Sequence, residues 1–342
     1  MHSFKFRQLL GLLILCSTSI VFAANNGNGG GNGGNPTEAI AALESELNSL
    51  RNAIDSLSVM NVSADCGLDN SALQTAVNAA PQAGAIISVT GSCGATVING
   101  KSNLVISGGT ISGGLQIEAS RNIQLSNMDI DAAGADEALL ISYTSSVVTN
   151  GNLGITGSLS VRSNSSFSQL NGNISVTGQV LASQSGAISI RNGTLNGGAV
   201  LDQNSSLSLF PDSPAYLINL AGTLQAFSGA NITLRADNNT NHGAISVTVG
   251  DVYVQRNASM RIFGSFQNAD KILIDMTKLW VRQNAAFDML DATSYIGSIS
   301  LTDGGGARIF TRGVPFGSIH ADCDASAWAS LTATCEPPLP SP

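Results

Sequence analysis

Between Gly157 and Leu209 the chain alternates apolar and polar residues with period two, in three units of similar length. They read GSLSVRSNSSFSQL, GQVLASQSGAISI and GAVLDQNSSLSL, opening at Gly157, Gly178 and Gly198, so the repeat is 21 and then 20 residues. Each unit alternates, breaks at an Asn or Gln, and alternates again. The pattern returns at Gly222 (GTLQAFSGANITL), at Gly250 (GDVYVQRNASMRI) and, without the glycine, at Lys278 (KLWVRQNAAFDM). It is present earlier at Gly114 (GLQIEASRNIQL). Alternation predicts short strands, and self-similarity at a fixed period predicts that they stack as a solenoid. The expected fold class is therefore all-β, a solenoid in which each coil buries its apolar face against its neighbours. Asn164, Gln184, Asn204, Asn257 and Asn284 hold matching places in their units, which predicts a structural ladder of side-chain amides along the axis.

Two stretches follow helical spacing instead. Asn35, Pro36 and Glu38 form a helix start, with a cap, a proline at the first position and an acid three after the cap. Ile40, Leu43, Leu47, Leu50, Ile54 and Leu57 then recur as a heptad seam, with Glu46 and Arg51 placed to meet across a parallel interface. So narrow a stripe predicts a coiled coil over 36–60 and a homo-oligomer, dimer or trimer, formed through residues 40–57. Leu73, Ala76, Val77 and Ala80 mark a second, short helix that stops before Pro81.

Before these lies a basic start with Lys5 and Arg7, an apolar run from Leu9, and Val21-Phe22-Ala23 as a small-residue cleavage site. This is the pattern of a secretory signal peptide over 1–23. The run is too short to span a membrane, and Leu15 before Cys16 is too large for a lipidation site. No second apolar run follows, so no membrane span is expected. A Gly/Asn-rich linker fills 24–35. The expected location is secreted or at the cell surface, the periplasm being the other compartment such a leader reaches.

Charged residues make up 11% of the 342, and the formal charge is −8. Removal of the leader's two cations brings the mature chain close to −10. That argues against nucleic acid as a partner, which would need a basic stripe. Four cysteines remain in the mature chain: Cys66, Cys93, Cys323 and Cys335. An even count in an exported protein reads as disulfides. Three pairings are open, of which the local one, Cys66–Cys93 with Cys323–Cys335, would staple each end of the solenoid. No CxxC spacing suggests a zinc site. A Pro-rich tail ends the chain, so 323–342 reads as a disulfide loop plus an extended tail.

Around the first cysteine pair the chain resembles a known family. Cys66, the short Leu/Ala helix, Ala80-Pro81, a strand from Gly84, the turn Gly91-Ser92-Cys93, then NLVISGG and RNIQLSNMDI are similar to the N-terminal cap and first coils of secreted bacterial right-handed parallel β-helix proteins of the pectin-lyase-like superfamily. The cap resemblance covers residues 64–131, and the coil pattern extends loosely to residue 320. It implies a right-handed parallel β-helix over 61–322, with the short helix covering the first open edge. It also implies a choice of functions, since the superfamily includes polysaccharide lyases, polygalacturonases, tailspike-type proteins and adhesins.

A lyase would need clustered carboxylates for Ca²⁺ and a cationic base beside them. The best cluster is Asp129, Asp131, Asp136 and Glu137, with Arg162 one or two coils away. Asp129 and Asp131 share a strand face. They and Arg162 are the catalytic candidates, Asp136 and Glu137 the binding candidates, and Ca²⁺ the one cofactor they could hold. The stretch Asn239 to Gly243 carries Asn241 where a polygalacturonase would need an acid. The two mature histidines, His242 and His320, have no nucleophile motif beside them. Trp280 sits at an alternating strand position that could face inward or outward. The primary expectation is a non-catalytic exported surface or matrix protein that binds glycan or another cell. The alternatives are a lyase or hydrolase of acidic polysaccharide, and a structural fibre subunit.

Overall fold

A computed structural model describes residues 44–47, 49, 59–132, 137–236, 242–264, 271–290, 292–302, 307–312, 320–323 and 328–330, with the backbone alone for 293–302, 311–312, 320–323 and 328–330. The chain divides into two compact units, Met1–Asp55 and Ser56–Pro342. In the first, residues 44–47 and 49 are helical, and Leu47 of the heptad seam is 52% exposed. The leader, the linker and the other seam residues (Ile40, Leu43, Leu50, Ile54 and Leu57) lie outside the described residues.

The second unit is a parallel β-solenoid. Among the described residues its strands form one 13-stranded and one 17-stranded sheet, and every pairing is parallel. The 13-stranded sheet is the first face, running from Met60–Asp65 through Ser166–Asn171 and Ala286–Leu290 to Trp328–Ser330. The 17-stranded sheet carries two columns of short strands. One includes Met128–Asp131, Leu153–Thr156 and Ile174–Val176; the other includes Glu137–Ser142, Ser158–Val161 and Val180–Ala182. These are the second and third faces. From Leu217–Ala226 onward single long strands span both columns: Leu217–Ala226 pairs with Gly193–Leu195 through one half and with Gly198–Leu201 through the other. The register slips at Gly222, where that strand turns the corner.

Alternation places the core. On the first face Val147, Phe167, Ile188, Leu207, Ile232, Met260, Phe287 and Ile309 stack in register, one per coil, each no more than 2% exposed. Each residue therefore meets apolar neighbours from the coils on either side, and a coil cannot hold this face dry alone. Gln169 interrupts the inner surface and is fully buried. Its amide is saturated: Nε2 donates to the carbonyls of Gly172 and Asn192, and Oε1 accepts from the amides of Arg191 and Asn192, at 2.8–2.9 Å.

The open end of the first coil is closed by the helix Ala72–Ala79, which buries Leu73, Ala76 and Val77. Gln74 acts as one residue of a missing strand. Its Oε1 accepts from Val97 N at 2.7 Å and its Nε2 donates to Val97 O at 3.0 Å. Lys101 Nζ donates to the carbonyls of Asn78 and Ala80 at the helix end, at 2.9 and 3.1 Å. Cys66 and Cys93 form a disulfide across this cap. The second pair cannot be placed in the same way, since Cys335 lies outside the described residues.

The ladder expected of Asn164, Gln184, Asn204, Asn257 and Asn284 takes a different form. These residues and their neighbours make two-residue turns in the left-handed region, such as Ser163-Asn164 at φ 57° and 58° and Gln283-Asn284 at 55° and 59°. Main-chain bonds tie one turn to the next, as Asn164 N to Gln184 O and Asn257 N to Gln283 O, both 2.9 Å. Gln184 falls one place earlier in its turn, so its side chain accepts from Ser163 Oγ at 2.7 Å. Side-chain amides do bond between coils at another corner. There Asn127 Oδ1 accepts from Asn152 N, Asn152 Oδ1 from Asn173 N, and Asn192 Oδ1 from Leu217 N, at 3.0–3.1 Å.

Candidate binding face

The acidic residues singled out in the sequence are divided between two faces. Asp129 and Asp131 are exposed on the second face, Asp129 in register between Thr110 and Gly154, and Asp131 between Ser112 and Thr156. The carboxylate of Asp129 lies over Gly154, where an added Cβ would stand 2.2 Å from its Oδ1. Glu137 opens a strand of the third face, and its Oε2 accepts from Arg162 at 2.6 Å. Arg162 thus has Glu137 as its partner. Asp136 and Asn239–Asn241 lie outside the described residues. Among the described residues no three His, Cys, Asp or Glu side chains come together as a metal would need.

The third face is built differently. Its strands put one residue per coil at the middle outward position, and these stack in register as Val97, Gln116, Leu140, Ser160, Leu181, Val200, Gln225, Tyr253 and Trp280. The corresponding outward column of the first face runs through Ile86, Val105, Gln124 and Val148, is polar at Ser168, Ser189, Ser208 and Thr233, and goes on to Arg261, Asp288 and Phe310. Over the middle coils the third face is thus the more apolar of the two, with Leu181 and Val200 where the first face has Ser189 and Ser208, and it alone goes on to a stacked aromatic pair among the described residues. A groove of about 590 Å³ opens on it, lined by Val97, Gln116, Leu140, Leu181 and Glu137 among others.

Further along the same column Tyr253 and Trp280 sit on adjacent strands with their rings stacked, centroids 6.0 Å apart and planes within 8°. Strands about 4.8 Å apart bring such rings into offset contact. The Tyr253 hydroxyl donates to Asp251 Oδ2 at 3.0 Å. That bond, helped by burial and by the negative charge of Asp251, raises the pKa of the phenol above its ordinary value, so it keeps its proton further into alkali. Two cations lie against the indole. Lys278 Nζ is 3.6 Å and Arg282 Cζ 4.3 Å from the ring centroid. Trp280 Nε1 and Arg282 Nε are buried and have no hydrogen-bond partner.

A smaller groove of about 440 Å³ on the first face is lined by Phe263, Leu290 and Phe310. Its floor is a charge cluster, with Asp288 Oδ2 between Arg261 and Arg308 at 3.8 and 3.6 Å.

Trp280 thus faces outward, a choice the alternation left open. The signal that would have settled it is in the sequence. Counting back four places from the second turn residue of each coil (Asn164, Ser185, Asn204, Gly229, Asn257, Asn284) gives Ser160, Leu181, Val200, Gln225, Tyr253 and Trp280, the column itself.

Compared with protein-family models, with curated proteins and with solved structures, the chain has no match.

Proposed function

We propose that this is an exported β-helix protein that binds an extended glycan along its third face without turning it over. The observation that carries the reading is the single outward column in which Leu140, Leu181 and Val200 lead into the stacked pair Tyr253 and Trp280. Sugar rings present C–H faces that pack on aromatic and aliphatic surface, while their hydroxyls need polar partners at the rim. The column offers both, with Gln116 and Gln225 interleaved. A solenoid repeats its surface at every coil, so a polymer lying along the axis meets the same kind of contact many times.

Other features support export and display. The leader pattern at 1–23 and the Cys66–Cys93 disulfide fit an oxidising compartment. The cap resembles that of pectin-lyase-like β-helix proteins, and the heptad seam at 40–57 suits a short oligomeric stalk. The Glu137–Arg162 ion pair occupies the cation that a lyase site at Asp129 and Asp131 would use as its base.

The test uses the chain from Ala24 onward and a panel of acidic and neutral polysaccharides, scored for binding and for new reducing or unsaturated ends. The expected result is binding without new ends, weakened about tenfold or more by Leu181→Asp, which puts a charge on an apolar contact. Steady release of new ends that stops with Asp131→Ala would replace this reading with the enzymatic one.

A further inference from the structure

The third face carries two cations without an acid to answer them. Neither Lys278 nor Arg282 has a carboxylate within ion-pair distance among the described residues, in a chain whose formal charge is −8. Asp251 lies in register beside Lys278, yet its carboxylate takes the Tyr253 hydroxyl instead. Arg162, Arg191, Arg261 and Arg308 each meet a carboxylate, whereas Arg282, like Arg121 and Arg256, forms no ion pair among the described residues and is the one of these three packed on an aromatic ring.

The two unanswered cations are also held against the same side chain. Each packs on the same indole, at 3.6 and 4.3 Å from its centroid, so their centres are no more than about 8 Å apart. Packing on a ring fixes two long side chains that would otherwise wander in solvent, and an oxyanion at the edge of that ring could meet both. Two buried donors at the same spot, Trp280 Nε1 and Arg282 Nε, lack acceptors. Buried donors are almost always satisfied, so the missing acceptor is itself an observation about this place.

We infer that Lys278, Arg282 and Trp280 form an anion subsite on the third face, and that it takes a tetrahedral oxyanion ester, sulfate or phosphate, carried by the glycan. This rests on the glycan-binding reading above and narrows it. A carboxylate is planar and is met in full by one guanidinium fork. Here the donors belong to three side chains of different shape, a point-like ammonium, a planar guanidinium and an indole N–H. An ester with three free oxygens can accept from the ammonium and the guanidinium together, with the covered indole N–H behind them. A carboxylate with two oxygens leaves part of the set unused.

The experiment uses the chain from Ala24 with Trp328→Phe, so that Trp280 is the only tryptophan of the two. Dextran sulfate, dextran phosphate, polygalacturonate and plain dextran are titrated at fixed ionic strength, with indole fluorescence and affinity read together. Dextran sulfate or dextran phosphate should perturb Trp280 and bind about tenfold or more tightly than polygalacturonate. Lys278→Gln and Arg282→Gln should each remove most of that preference, and Arg282→Lys should restore part of it. The two ester arms identify which oxyanion is taken. Equal affinity for polygalacturonate and the esters would overturn the inference in favour of plain charge attraction. Equal affinity for all four polymers would overturn it while leaving the glycan reading in place. Should no polymer bind, the glycan reading fails, and inorganic sulfate then decides the subsite alone: a Trp280 response abolished by Arg282→Gln keeps it, and no response removes it.

Discussion

Gly198 and Gly250 both open a repeat in the sequence, but the chain uses them differently. Gly198 has φ +80°, and a Cβ there would stand 1.9 Å from the carbonyl oxygen of Thr223 on the next coil. Gly250 has open space around the same position. Gly198→Ala should therefore cost about 2 kcal/mol or more, while Gly250→Ala should stay within about 0.5 kcal/mol. Urea midpoints of the two variants, compared at equal slope, check this pair. Gln169 is a second residue whose cost can be foreseen. Gln169→Leu keeps the volume but orphans the amides of Arg191 and Asn192, while the carbonyls of Gly172 and Asn192 keep their second donors, and it should destabilise by about 2–4 kcal/mol in the same assay. At Tyr253 the phenol's raised pKa has a definite sign. The folded chain holds that proton more tightly than the unfolded one. Its contribution is complete below the ordinary phenol value of about 10 and is lost as pH rises through the folded value. Ultraviolet titration should show a tyrosinate step above pH about 10 that Tyr253→Phe removes.

At the scale of elements the cap decides how the solenoid frays. A first coil with an unpaired edge is a template for other strands, and here the edge at Val97 is answered by the side chain of Gln74. Gln74→Leu should leave that edge unsatisfied and speed amide exchange in Thr96–Asn99 and Leu115–Glu118, with little change in distant coils, because a solenoid transmits stability mainly between neighbours. Reduction of Cys66–Cys93, which closes a loop of sequence separation 27, should cost about 3 kcal/mol in the chain-entropy account and open the same region. Much of this was legible beforehand. Alternation located the strands, and the spacing of Leu73, Ala76 and Val77 located the helix. The role of Gln74 was not legible, because beyond its bond to Asn78 Oδ1 one turn on, nothing local marks a glutamine that meets both main-chain atoms of Val97, twenty-three residues away.

For the whole molecule, period two gives the faces and the repeat gives the stacking, and register then determines which residues share a column. A slip of one place in a turn is enough to move a residue out of its column, as with Gln184. For that reason the acids at Asp129, Asp131 and Glu137 read as one cluster in the sequence although a corner divides them between faces. The aromatic column was obscured for the same reason: Tyr253 and Trp280 are twenty-seven residues apart and meet only once the long strands Ala244–Gln255 and Ile272–Arg282 are aligned. The central claim is that the third face, and not the acidic second face, holds the ligand. Affinity for the best-binding polysaccharide of the panel, measured for wild type, Tyr253→Ala and Asp131→Ala by titration calorimetry, tests it most directly. The account predicts a loss of about tenfold or more with Tyr253→Ala and little change with Asp131→Ala. Binding that survives Tyr253→Ala and disappears with Asp131→Ala would contradict it.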